Sequence, residues 1–283
     1  MSRNACLVPL LAVVVLTTAC KPSAPPPAET SAAPAQTVAA TETTTPATGL
    51  KVTLPEALQV GIGFPEARTA LAAAGWLPLQ DRAECMAQLG DRSGLCYSTP
   101  ELASCADASC TLDFANADAL QRLSLVVGAP AATDPDETPG FGAVKSWALS
   151  AVAATGTVGA CPATDFDSFL KVFAADPLVR ARYTAPLVRV AQTVDRGDAG
   201  DQSQQTYVVA GNYTGFALSY RDGAWYPSVD AGAPRPAPLD VRISAEDGGA
   251  YYVDVPGNVE GVSYRFERHG DCWRLAADPD SAI

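Results

Sequence analysis

His269 is the only histidine in the chain, and it sits between Arg268 and Gly270 in a segment that reads as an exposed turn, so it is not placed for proton transfer. Ser168-Phe169-Leu170-Lys171 spells a Ser-x-x-Lys nucleophile motif. Its usual companions, Ser-Asp-Asn and Lys-Thr-Gly, are absent, and the segment reads as an ordinary helix face. There is no Gly-x-Ser-x-Gly elbow and no Walker motif. Gly61-x-Gly63 lacks the third glycine of a dinucleotide fingerprint and reads as a chain reversal before a helix. The loop Asp195-Arg196-Gly197-Asp198-Ala199-Gly200-Asp201 offers three carboxylates that could converge on calcium. Its spacing is not that of an EF-hand, Arg196 would compete, and a solvated hairpin loop accounts for it. Asp165, Asp167 and Asp176 could do acid–base work if buried together, but each falls at a helix start. Trp225, Tyr226 and Tyr251 are the candidate pocket-lining residues; aromatics so spaced also alternate between a sheet's core and its rim. No catalytic residue, metal ligand or cofactor is assigned from these patterns.

Charge excludes some partners. With 31 acidic and 19 basic residues the net charge is -12, a sign that repels phosphate backbones and anionic lipid surfaces, so nucleic acid is not an expected partner. The eight cysteines speak to compartment. Cys6 falls within the signal-like N-terminus, just before an apolar run, Leu7 to Leu16, that follows Arg3 and is too short to span about 30 Å of hydrocarbon. Six more, Cys85, Cys96, Cys105, Cys110, Cys161 and Cys272, form an even set that reads as a disulfide framework. Four of them cluster, and three connectivities are open among those four. The preferred one is Cys85–Cys96 with Cys105–Cys110, leaving Cys161 to join Cys272.

The elements that would position these groups fall into two parts. Residues 1–19 read as a signal peptide and 20–49, mostly Ala, Pro, Thr and Ser, as a semi-extended tether. Residues 50–128 are expected to form a small Cys-rich α+β domain. In it, Pro65 opens a helix that Gly75 stops, with Ala67, Ala70, Leu71 and Ala74 as its buried stripe. Thr111–Asn116 and Leu120–Val127 alternate as strands, with the Cys85–Cys110 stretch as a loop between helix and sheet. Residues 129–142 read as a linker. Residues 143–283 begin with a helix capped by Thr164, presenting Phe166, Phe169, Leu170 and Phe173 on one face. A second helix starts at Asp176-Pro177, and eight short β-rich segments follow, from Leu187–Val194 to Cys272–Leu275. The expected fold class is α+β: one helix on a short antiparallel sheet, then helices on a curved antiparallel sheet.

Several of these stretches resemble known families. Leu16-Thr17-Thr18-Ala19-Cys20 is similar to the lipobox of bacterial lipoproteins, which implies lipid attachment at Cys20. The motif departs at Thr17, where an aliphatic residue is usual, and Thr17-x-Ala19 also suits ordinary signal peptidase. By that resemblance Lys21 implies outer-membrane sorting. A second set of residues resembles a group of small exported bacterial domains: Gly63, Phe64, Ala67, Arg68, Leu71, Gly75, Trp76 and Pro78, then Pro100, Glu101, Cys105 and Cys110. This likeness implies a fold and no activity. Phe166-Asp167-x-Phe169-x-x-x-Phe173-x-x-Asp176, with the closing Cys272-Trp273-Arg274-Leu275, resembles the NTF2-like, or cone, superfamily, which hosts both enzymes and scaffolds.

The reading that best fits is a non-catalytic, membrane-anchored envelope lipoprotein that binds a protein, peptide or cell-wall component. The alternatives are a hydrolytic enzyme with an NTF2-like cavity, and an envelope inhibitor or immunity-type protein whose contact surface is the Cys85–Cys110 stretch.

Overall fold

A computed structural model describes residues 53–90, 94–106, 108–130, 140–153, 159–195, 200–228, 236–256 and 262–279. The signal peptide, Cys20 and the tether therefore lie outside the described residues, as do the centre of the acidic loop and the middle of the expected linker. All of the described residues belong to one unit, Pro46–Ile283.

The first element is α1 (Phe64–Ala73), which starts where Pro65 needs no N–H partner and ends before Gly75, at φ 79°. It buries Phe64, Ala67 and Leu71. Then come β1 (Leu77–Pro78), α2 (Arg82–Leu89), α3 (Leu95–Ser98), β2 (Leu102–Ala106), β3 (Ser109–Asn116), β4 (Gln121–Gly128) and β5 (Val144–Ala151). The sheet order is β1-β3-β4-β5, with β2 also paired to β3. Leu112, Phe114, Leu123, Leu125 and Val127 alternate inward against α1 and Trp76.

Two expectations change here. The Cys85–Cys110 stretch is not a loop but α2, α3 and β2, so three helices rather than one cover this part. Asp81 caps α2 by accepting the Glu84 N–H, and Gly90, at φ 53°, closes it. Val144–Ala151, placed by sequence at the head of the second part, is a strand of the first sheet, and Val144 is buried in its core. The glycines beside this pairing matter because Gly128 and Gly142 approach so closely that a Cβ on either would meet the other's Cα at 3.1 Å.

The second half opens with α4 (Phe166–Ala175) and α5 (Pro177–Arg182). The cap of α4 is Asp165, whose carboxylate accepts the Ser168 N–H at 2.9 Å, not Thr164: Asp165 stands one residue before the first helical position, within reach of that donor. Asp176 caps α5 in the same way. Strands β6 (Thr184–Asp195), β7 (Asp201–Val209), β10 (Arg242–Ala245), β11 (Tyr251–Asp254), β12 (Ser263–His269) and β13 (Cys272–Asp278) form a sheet ordered β10-β11-β12-β13-β6-β7. A hairpin of β8 (Leu218–Arg221) and β9 (Ala224–Pro227) stands beside it. The sheet was expected to be wholly antiparallel, but β13 pairs with β6 in parallel. The last strand pairs with the first after all the other strands have intervened in the chain, and a connection that long permits either sense.

Phe166, Phe169, Phe173, Tyr183, Phe216, Tyr264, Phe266 and Trp273 pack between α4 and the sheet. Phe166 lies flat on Tyr251 with centroids 4.0 Å apart, and Phe173 meets Phe216 edge-on at 4.9 Å. Cysteine sulfurs stand at disulfide distance in the pairs Cys85–Cys96, Cys105–Cys110 and Cys161–Cys272.

The two sheets meet through one short segment. The Leu79 N–H donates to the Asp113 carbonyl at 2.8 Å, within the first sheet, and the next N–H, of Gln80, donates to the Tyr207 carbonyl at 2.8 Å, on the edge of the second. Leu79, Ala115, Val152 and Leu187 seal the seam with Tyr207 and Val209. A chain that completes both sheets in consecutive residues joins the halves as one body.

Candidate binding groove at the seam

Asp81 follows Gln80 directly, where the chain leaves the seam. Its Oδ1 accepts the Glu84 N–H at 3.1 Å and caps α2, while its Oδ2 accepts from Asn212 Nδ2 at 2.6 Å. One carboxylate thus fastens the helix of the first half to the short 3-10 turn Ala210–Asn212 of the second. Nearby, Asp113 of β3 is 3% exposed and accepts from Arg122 and from Ser124 Oγ, the latter at 2.6 Å. The hydrogen bond to Asp113 holds the Arg122 guanidinium above its ordinary pKa, and the fields of Asp113, Asp81 and Glu84 add to it, against the burial that would lower it. Arg82 lies over the Tyr97 ring, 4.8 Å from its centroid, and burial depresses its pKa.

Two depressions open here. One of about 540 Å³ runs along Arg82, Met86, Val208 and Tyr213. The other, about 400 Å³, is floored by Thr111, Asp113 and Arg122 and walled by Gln88, Leu102 and Ser104. Gln80, Asp81 and Glu84 line both, so they form one groove. Its carboxylates are already oriented by internal bonds, leaving a fixed pattern of acceptors, two guanidiniums and apolar strips: a surface suited to grip an extended polar chain.

Behind Tyr213 lies a buried polar knot. The Tyr213 hydroxyl donates to Asp278 Oδ2 at 2.7 Å; the Tyr264 hydroxyl donates to the Gly215 carbonyl at 3.0 Å and accepts the Ala217 N–H at 2.8 Å. Gly215 gives this knot its room, because a Cβ there would fall 2.6 Å from the Asp278 carboxylate and 2.9 Å from the Tyr213 ring, so one of them would have to shift. Burial first, and then the negative field of Asp278, push the pKa of Tyr213 far up; burial does the same for Tyr264. In the unfolded chain both hydroxyls ionise from about pH 10 upward, while in the fold they stay protonated. The unfolded state therefore binds fewer protons above that pH, and stability falls as pH rises, by up to about 1.4 kcal/mol per pH unit per tyrosine. Melting temperatures across this alkaline range are expected to fall more gently for Tyr213→Phe than for the parent chain. Parallel slopes would contradict the buried state of this hydroxyl.

The residues singled out by sequence lie elsewhere. Tyr251 stacks on Phe166, Trp225 packs 4.9 Å from Tyr220, and Tyr226 is buried beneath the Arg221 guanidinium, 4.6 Å from its ring centroid; none of the three lines either depression. Lys171 bonds Asp167 one turn back, which accounts for the Ser-x-x-Lys pattern as a helix-face ion pair. His269 ends β12 on the surface, its pKa lowered by partial burial and then by Arg274. Of the acidic loop, 196–199 lie outside the described residues. No group of three or more potential metal ligands gathers among the described residues, and no described helix is long and apolar enough to cross a membrane. Met86, Gln88 and 102–104 fall in the Cys85–Cys110 stretch read from sequence as a possible contact surface; the other groove residues were not singled out, although Asp81-x-x-Glu84 is a helix-cap signal that would have placed α2.

Arg68 and Glu101, two residues of the exported-domain likeness, bond each other across the first half. Arg68 Nε lies 2.7 Å from Glu101 Oε1, and its Nη2 reaches both Glu101 Oε2, at 3.2 Å, and Gln204 Oε1 of β7, at 3.0 Å.

No protein-family profile matches the sequence, and no curated protein matches it. Among solved structures the chain is similar to an NTF2-like protein from Bacteroides fragilis, with 14% identity, 75% of this chain and 77% of that chain covered, and a TM-score of 0.30.

Proposed function

We propose that this protein is an exported lipoprotein, anchored to the envelope membrane through Cys20, that binds a protein or peptide in the groove at the seam of its two sheets. The observation that carries this reading is the groove: both halves contribute to it, and its polar groups are fixed before any ligand arrives. The second half, with helices laid across one face of its sheet, is of the NTF2-like kind. The place where such a cone would hold a substrate is filled by the rings of Phe166, Phe169, Phe173 and Phe266, which favours binding over hydrolysis. The groove wall includes α2 and β2, so the Cys-rich stretch belongs to the contact surface.

The test places a photoreactive residue at Gln88, in the groove, or at Asp240, just before β10 at the far edge of the second sheet, in the full chain within living cells. One envelope protein is expected to be captured from Gln88 and not from Asp240. Glu84→Lys should lower that capture about tenfold by reversing a groove charge. The same abundant neighbours recovered from both positions would sink the binding reading. C20S is expected to move the protein from the membrane to the soluble fraction, and an unchanged distribution would refute the anchor.

A further inference from the structure

We infer that two copies of this chain pair edge to edge along β5, in antiparallel register about a two-fold axis at Ala148. On one side β5 is bonded to β4. On the other, the chain at Gly61–Gly63 covers only its beginning: the Gly61 N–H donates to the Val144 carbonyl at 2.8 Å, and the Val144 N–H donates to the Ile62 carbonyl at 2.9 Å. From Lys145 to Ala151 no strand among the described residues takes up the outer edge. Such edges are ordinarily guarded by charge, proline or a bulge. Ser146–Ala151 carries no charge and no proline, and the register shift of the β4–β5 pairing lies before it, at Lys145 between Val144 and Ser146.

The side chains say what kind of strand fits. Trp147 stands opposite Leu125 and Leu149 opposite Leu123, on the core face of the sheet. Leu123 and Leu125 are fully buried, Trp147 is half-buried and Leu149 is 45% exposed, so the core runs out to the edge and stops uncovered. A second copy completes it, because Ser146-Trp147-Ala148-Leu149-Ser150 is nearly symmetric about its centre. In antiparallel pairing about Ala148, each Trp147 faces the other copy's Leu149, each Ser146 faces a Ser150, and Lys145 faces Ala151, with no like charges opposed. Moving the axis one residue, to Trp147, would set that ring against itself and leave Leu149 opposite Lys145. The same strip thus serves as both partners, which a heterologous strand would have to match by separate design.

The pairing predicts a distance. Residues opposite each other in antiparallel strands have Cα atoms about 4.5–5.5 Å apart, within disulfide reach. The two copies of position 150, each four residues from the other's partner site, would be about 13 Å apart along the strands and out of reach. In the full chain, expressed where its own cysteines oxidise, A148C is expected to give a reducible dimer on a non-reducing gel, at least about tenfold more than S150C. Adding L149K to A148C should abolish it by setting a lysine against Trp147. The inference is overturned if A148C stays monomeric with a reactive thiol, if S150C cross-links as well as A148C, or if L149K leaves the dimer untouched.

Discussion

Replacing Arg68 by alanine is expected to cost the fold about 3 kcal/mol, read as a lower urea midpoint of Trp76 fluorescence. Glu101 has no exposed surface, and Arg68 neutralises it through two contacts while a third reaches Gln204 on the second sheet. Removing the guanidinium takes from a buried carboxylate the counter-charge that Arg68 supplies, a costly way to break a buried pair. The estimate stays at the low end because the Arg68 side chain is 26% exposed and solvent screens part of the interaction. Glu101→Gln keeps the shape and removes the charge, so it should lose only about 1–2 kcal/mol. Replacing both, as R68M with E101L, should recover much of the loss, since apolar groups of similar volume tolerate that environment. If R68A and E101Q cost the same small amount, the charge of Glu101 is not what Arg68 holds in place.

This pair shows what kind of information the sequence carries. Arg68 and Glu101 stood in the exported-domain likeness with no reason attached; the structure supplies one, a charge bridge that clamps α1 to the start of β2 and touches β7. Elements with a strong local signature were readable. α1 has its proline start and glycine stop, and α4 has Phe166, Phe169 and Phe173 on one stripe. The strands from β6 onward are β-branched, aromatic and punctuated by Gly, Asp and Pro. Elements without such a signature were missed. α2 buries only Cys85 and Leu89, so its periodicity is faint and only its cap announces it. β5 is an edge strand in which only Val144 is buried, and its small-residue texture gives no strand signal until β4 is beside it, so by sequence it falls in the second part.

The groove was the least readable feature, for a physical reason. It is assembled from positions 79–84, 86, 88, 102–104, 111, 113, 122, 208–209 and 212–214, each of which has a sufficient local explanation as cap, helix, strand or turn. Their convergence depends on Leu79 and Gln80 bridging the two sheets, and on β13 returning in parallel to β6. Both are long-range pairings that no local pattern encodes. The candidate pocket aromatics were assigned on composition. Composition does not distinguish a ring that lines a cavity from one packed against other rings, and here Tyr251 stacks on Phe166 and Trp225 packs against Tyr220.

The replacement of Cys161 and Cys272 together by serine should lower stability by about 4–5 kcal/mol, more than loss of either other pair. The argument rests on the unfolded chain. These two cysteines are separated by 111 residues, whereas Cys85–Cys96 and Cys105–Cys110 are separated by 11 and 5. The cross-link closing the longest loop removes the most freedom from the unfolded ensemble, and the two shorter loops are worth about 2–3 kcal/mol each. In the native state the loss is cushioned, because the segment before α4 is also held by the Tyr183 hydroxyl, which donates to the Ala160 carbonyl at 2.7 Å. The folded spectrum of the double variant should therefore match the parent while its urea midpoint drops and its m-value rises, as the unfolded state expands. A midpoint shift with unchanged m would place the effect in the folded state. A loss smaller than that from removing Cys105–Cys110 would refute the loop-entropy account of this fold's stability.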